Sequence, residues 1–302
     1  MSDHSPILAF EGEPVSTLIL RRYSCRSYAS RPIAEATQQK LRDFIGSHTA
    51  GPFGTQVRMA LLASTQEDRY ALDNLGTYGF IRGATGFIAG AVPEAAELAL
   101  EDFGYVMEIV VLYATSLGLG TVWLGGTFMR SRFAQAVALR EGEQLPAVVA
   151  IGYPAESPRG LDTVIRRQAK SDRRLPWDQL FFEAAEGGLF ETPLDRESAG
   201  PYATVLDMVR QAPSASNKQP WRIVRDASRW HLFLCRTWGY AARNALIGIA
   251  DMQRIDMGIA MSHFALAAAE LGLEGRWERR APEVEMPDGQ TSYVVTWVDS
   301  DS

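Results

Sequence analysis

Cysteine and histidine are scarce in this 302-residue chain. Cys25 and Cys235 form no CxxC pair and no disulfide framework, which a chain of this length does not need. His4, His48, His231 and His263 are scattered and show no HExxH spacing, so no protein-bound metal is expected. Positive charge is in deficit: 30 Lys and Arg against 36 Asp and Glu give a net charge of −6, which argues against nucleic acid as a partner. The opening residues, MSDHSPILAF, have no basic start followed by an apolar run. A secretory signal is therefore not expected, and the cytoplasm is the expected location. Long uncharged runs are lacking with one exception, residues 109–128, IVVLYATSLGLGTVWLGGTF, which meet the length of a bilayer span. Gly118, Gly120, Gly125 and Gly126 interrupt that run, and Glu108 precedes it. A buried helix to about Leu117, a turn and a buried strand explain it more economically than a membrane partner does.

What the chain does have is a repeat. DFGYVMEIVVLYATSLGLGTVW (102–123) and DMGIAMSHFALAAAELGLEGRW (256–277) align without a gap, each pair 154 positions apart. Nine of the 22 pairs are identical: Asp102/Asp256, Gly104/Gly258, Met107/Met261, Leu112/Leu266, Ala114/Ala268, Leu117/Leu271, Gly118/Gly272, Leu119/Leu273 and Trp123/Trp277. Each copy predicts an apolar helix stopped by glycine and followed by a strand. So apolar a helix belongs inside a core, and the two tryptophans are expected there too. Helix, turn and strand are also expected before each copy, in 36–64 and 202–226. A strand is expected after each, in LPAVVAIGYPAE and in TSYVVTWVDS. The charged stretch RRQAKSDRRLPWDQLFFEAAEGG joins the halves. The expectation is two α+β halves of similar plan, packed about a pseudo-twofold axis as a homodimer would be.

Two short segments carry the chemistry. RRYSCRSY (21–28) concentrates Arg21, Arg22 and Arg26 around Ser24 in an otherwise acidic chain. It is either a solvated helix end or an anion socket. APSASNKQPW (212–221) leaves a helix at Pro213 and offers Ser214, Ser216, Asn217 and Gln219 on short arms. It is either a self-bonded turn or a loop that meets the edge of a planar polar ligand.

Taken together, RRYSCRSY, PSASNKQPW, SLGLGTVWLGG, IGYP and RRLPWDQLFF resemble the FMN-dependent nitroreductase family over most of the chain. The closest likeness is to a duplicated, single-chain branch of that family. The resemblance implies an α+β, nitroreductase-like fold in two tandem copies, with mixed, mostly antiparallel sheets and packed helices forming an internal pseudo-dimer. Residues 1–180 would be the phosphate-gripping repeat, and 181–302 the repeat that supplies the Pro-Ser-x-x-Asn loop. It implies that Arg22 and Ser24 grip the FMN phosphate and that Arg26 reaches the pyrimidine edge of the flavin. Leu124, Gly125 and Gly126 match a turn whose backbone N–H groups approach flavin N5 and O4. Arg174 matches a late arginine that closes on the phosphate. Pro213, Ser214 and Asn217 match the loop contributed across the interface, although Ala215 stands where a serine is common. Tyr78, Gly79 and Arg82 fall where the family contacts the flavin, or else form a packed turn. Cys25 is an arbitrary side chain within the motif, and His48 a helix-end residue.

The copies have diverged. Aligned on Gln56 and Gln219, the first half has Gly51 and Gly54 where the second has Ser214 and Asn217. The second half has LFETPLDRESAG where an Arg-x-Ser-x-Arg element would stand. One intact FMN site and one vestigial one are therefore expected. The implied function is an FMN-dependent oxidoreductase passing hydride from NADH or NADPH to a small electron-poor acceptor such as a nitroaromatic or quinone. It would work as a monomer, with no residue required as acid or base. The alternatives are an FMN-binding carrier or sensor, a scaffold, and a flavin-dependent dehydrogenase of a specialised substrate.

Overall fold

A computed structural model describes residues 9–65, 72, 75–77, 79–156, 173–185, 189–240, 246 and 248–300. A short hairpin, β1 (Ala9–Phe10) and β2 (Glu13–Pro14), leads into helix α1 (Val15–Arg21) and then α2 (Glu35–Ser47). Strands β3 (Arg58–Ala63) and β4 (Gly86–Pro93), helix α3 (Ala99–Ser116), strand β5 (Gly120–Leu124), helix α4 (Arg130–Ala136), the short β6 (Glu143–Gln144) and β7 (Val148–Gly152) complete the first half. The second half contains β8 (Phe181–Glu183), β9 (Thr192–Pro193), α5 (Arg196–Ala199), α6 (Tyr202–Arg210), β10 (Trp221–Asp226) and β11 (Arg229–Cys235). Helix α7 (Met252–Glu270), β12 (Gly275–Glu278) and β13 (Thr291–Asp299) follow.

The two main sheets share a plan. The first runs β3-β4-β7-β5. The second contains β10-β11-β13-β12 in the corresponding order, and both paths are antiparallel throughout. The second sheet is extended by β8, which pairs parallel with β10, and by β9. The sequence stretch holding β8 shows only as a charged connection, because three residues are too few for a readable alternation.

The repeated helices behave as their composition requires. α3 and α7 are apolar on nearly every face and are buried almost end to end. Both stop in the same way: Gly118 and Gly272 take left-handed φ of 76° and 71°. The next residue's N–H then reaches back to a carbonyl five positions earlier, Leu119 to Ala114 and Leu273 to Ala268. The uncharged run 109–128 therefore divides into the end of α3, a turn and β5, and no helix among the described residues is long and apolar enough to cross a membrane.

One apolar core runs through both halves, with Leu18, Phe103 and Val149 in the same cluster as Trp221, Phe264 and Trp297. Trp123 and Trp277 pack against it, half-buried. α3 and α7 cross at its centre through Gly104 and Gly258; a Cβ on Gly104 would fall 3.2 Å from the Gly258 Cα.

Candidate functional site

The basic segment leaves α1 as an extended strand. Arg22 closes the helix by donating its N–H to Leu18 O at 2.8 Å. The chain then runs beside β5, with Ser24 bridged to Thr121 and the Cys25 N–H donated to Thr121 O at 2.9 Å. Extended backbone alternates its side chains. Cys25 is buried on one side, whereas Ser24 and Arg26 meet a cavity on the other. Arg82 braces this segment through its backbone: its N–H bonds Arg26 O at 3.0 Å, and its carbonyl accepts from the Tyr28 N–H at 2.9 Å.

The second-half loop leaves α6 at buried Ala212 and turns through Ala215–Asn217. Ser216 and Asn217 both take left-handed φ of 52°, which polar short side chains tolerate better than most. Ser214 Oγ accepts the Gln219 N–H at 2.9 Å, and Asp256 Oδ1 accepts the Ala215 N–H at 2.9 Å. The first bond closes the loop on itself, and the second ties it to the start of α7.

Together the segments enclose a cavity of about 290 Å³. Ser24, Arg26, Gly125 and Gly126 come to it from the first half, Pro213 and Ser214 from the second. Met252, Ile255 and Ile259 of α7 form an apolar wall. A Cβ at Gly125 would press on the end of the Met252 side chain and one at Gly126 on the end of Ile249, so bare backbone faces the cavity there without displacing either. An apolar wall opposed by polar edges and exposed backbone suits a flat, heteroatom-rimmed ring.

Four of the ten residues expected at the site do not line this cavity. Leu124 is buried in the cluster behind the first sheet. Arg174 and Asn217 meet each other at 3.4 Å; Arg174 also donates to Gln211 O, and Asn217 donates to Arg173 O. Arg22 lines a smaller neighbouring cavity of about 220 Å³, with Arg21, Tyr23 and Pro154. Its Nε lies 3.7 Å from Glu108 Oε1, with both side chains buried. Burial pulls the Arg22 guanidinium below its ordinary pKa, and the Glu108 charge acts the other way. Glu108 also accepts from Trp123 Nε1 at 2.8 Å and lies 3.2 Å from His263 Nε2. A charged cluster spanning α1, α3 and α7 thus stands behind the cavity.

Asp256 was not legible as a site residue. Its identity with Asp102 marks both as repeat positions, which reads equally well as packing. The structure places Asp256 among the residues around the cavity, together with Tyr240 and Ile249, which carry no motif. Tyr78 lies outside the described residues. Gly79 and Arg82 are exposed. His48 caps α2 and stacks on Phe44 at 4.0 Å between ring centroids.

The loop matching the Ser214 loop in the first half is closed. Asp102 accepts N–H groups from Phe53 at 3.1 Å and Thr55 at 2.9 Å, and a side chain at Gly51 would collide with its carboxyl. Beside it, Arg254 of α7 forms a two-pronged ion pair with Glu101 of α3, at 2.7 and 2.6 Å.

A protein described as a putative nitroreductase from Thermotoga maritima MSB8 shares the fold, with TM-score 0.58 and 17% identity over 99% of this chain and 98% of its own. An oxidoreductase described as containing FMN aligns at TM-score 0.46 and 20% identity, over 63% of this chain and 98% of its own. A protein from Desulfovibrio desulfuricans, described as a putative nitroreductase in complex with FMN, aligns at TM-score 0.37 and 23% identity, over 50% of this chain and 95% of its own. No curated protein matches the chain. The family model described as "Putative TM nitroreductase" matches residues 15–268, most of the chain, and the chain belongs to that family.

Proposed function

We propose that the chain is an FMN-dependent oxidoreductase that accepts hydride from NADH or NADPH and passes it to a small electron-poor acceptor, such as a nitroaromatic or quinone. One observation carries this reading: Ser24 and Arg26 of one half meet Pro213 and Ser214 of the other around the bare backbone of Gly125 and Gly126. Motifs nearly two hundred residues apart converge on one ring-sized space. When bound, FMN supplies the hydride chemistry, and the protein's task is binding and electrostatics. Arg26 offers a cation to a ring that gains negative charge on reduction. Gly125 and Gly126 bring backbone within reach of it, while Met252 and Ile259 cover an apolar face. Arg22 acts from behind, through Glu108, and the Arg174–Asn217 contact holds the second-half loop in shape.

In this reading the two halves, 1–180 and 181–302, form a pseudo-dimer within a monomer, supported by their matching strand order. One site is retained. The corresponding first-half loop is bonded down onto Asp102, which favours loss of the second site.

Purified protein is expected to be yellow, to release FMN on denaturation, and to bleach anaerobically with NADH or NADPH. Colourless protein that takes up no added FMN would sink the proposal. Bound FMN that neither nucleotide bleaches would instead indicate a carrier.

A further inference from the structure

His263 holds both ring nitrogens against oxygen atoms. Nδ1 lies 2.9 Å from Met208 O, and Nε2 lies 3.2 Å from Glu108 Oε1. A carbonyl has no proton to give, so Nδ1 carries one. The contact with Glu108 then needs a second proton. Without it, lone pairs would face each other where water does not reach, since both side chains are fully buried. Glu108 accepts the Trp123 indole N–H on Oε2 at 2.8 Å and faces the Arg22 guanidinium at 3.7 Å. That is the company of a carboxylate, which leaves the second proton on the ring. Two cations, Arg22 and His263, thus share one anion, and no other carboxylate pairs with either among the described residues. The cluster keeps an excess of one positive charge.

The repeat provides an internal comparison. At the spacing of 154, Glu108 corresponds to Ser262, and His263 to Ile109. Ser262 spends its hydroxyl on Ile259 O of its own helix, at 2.9 Å, and Ile109 is apolar. The charged pair therefore occurs once, on the side of the retained cavity. Trp123 joins the two: it lines the cavity and donates to Glu108. Arg22 stands two residues before Ser24, another lining residue, roughly 7 Å away along extended backbone.

Resting on the FMN site described above, we propose that His263 is a buried imidazolium whose excess charge, behind Trp123, favours reduced over oxidised FMN. His263 does not line the cavity; it acts by its charge, on a ring that gains negative charge on reduction. Low-dielectric surroundings make such a charge felt over a longer range than in water.

Heteronuclear NMR of the histidine rings in the full-length protein at neutral pH tests the charge itself. Variants at His4, His48 and His231 assign the remaining ring by elimination. Both His263 nitrogens are expected to carry protons, and a bare Nε2 overturns the proposal. Redox titration against a reference dye tests the effect, read as the ratio of reduced to oxidised FMN affinity. That ratio cancels whatever the phosphate contributes equally to both states. His263→Gln keeps a donor for Glu108 but not the charge, so the ratio should fall about fivefold. Glu108→Gln removes the anion and leaves Arg22 charged, so the ratio should hold or rise. A purely structural cluster would shift both variants the same way. That result, or an unchanged ratio in His263→Gln, overturns the tuning role. If wild type takes up no FMN, the tuning role falls with the cofactor assignment, and the NMR result still decides the charge on the ring.

Discussion

Gly104 and Gly258 meet where α3 crosses α7, and each occupies space that a methyl group would deny to the other helix. A Cβ on Gly104 would run into Ile255 O, and one on Gly258 into Glu101 O. Backbone cannot swing aside as a flexible side chain can, so the helices themselves must part. Gly258→Ala and Gly104→Ala are each expected to destabilise the protein by about 1–3 kcal/mol or more, read as a lower midpoint in thermal or denaturant unfolding. Gly258→Ala should also weaken FMN binding, because Asp256 and Met252 ride on the same helix. An unchanged midpoint for both variants would show that the crossing is looser than described.

The Asp256 carboxyl makes stability depend on pH in a direction opposite to that of an ordinary salt-bridged acid. Unfolded, it titrates near 3.8; folded, it holds its proton to higher pH. Between those two values the folded state binds more protons, so raising the pH favours unfolding until the folded carboxyl ionises. Apo-protein Asp256→Asn has no such titration. Its stability advantage over wild type should be absent below about pH 4, grow as pH rises and then level off. Melting curves of both proteins across that range check this; a constant difference counts against it.

Glu108, fully buried, is the shared partner of Arg22, His263 and Trp123. Glu108→Ala strands a buried guanidinium and leaves an indole N–H unbonded. Breaking such a cluster from one side costs about 3–5 kcal/mol. Urea unfolding should show that loss. Glu108→Gln, which can still accept from Trp123, should be milder. Equal stability of wild type and Glu108→Ala would mean that Arg22 finds another counter-charge.

Arg26 is half-buried and lines the cavity. Arg26→Ala should weaken FMN by about tenfold or more, the scale of one charge-assisted hydrogen bond. Fluorescence quenching of FMN measures the affinity. A variant that binds as tightly as wild type would remove Arg26 from the site.

The repeat made the centre of the molecule readable. Nine identities at one spacing placed α3 and α7, their glycine stops and the strands beyond them, because long apolar helices leave a strong, local pattern. β4, β11 and the pairing of β8 with β10 left no comparable trace: sheet neighbours are chosen by partners far away in sequence. At the site, the extended alternation of Ser24 and Arg26 agrees with their motif spacing. Arg22 shares that spacing, but it caps a helix, and its end-of-helix geometry turns it toward Glu108. A carboxyl like Asp256 is harder still to read, because its difference from Asp102 lies in how a distant loop spends its N–H groups, not in the residue itself.

The mingling of both halves in a single core has a consequence for dissection. α3 and α7 pack directly on each other at the centre of that core, so a fragment that ends before α7 would leave the α7-facing side of α3 open to water. Such a truncation should aggregate rather than fold, and the intact chain should melt in one cooperative step.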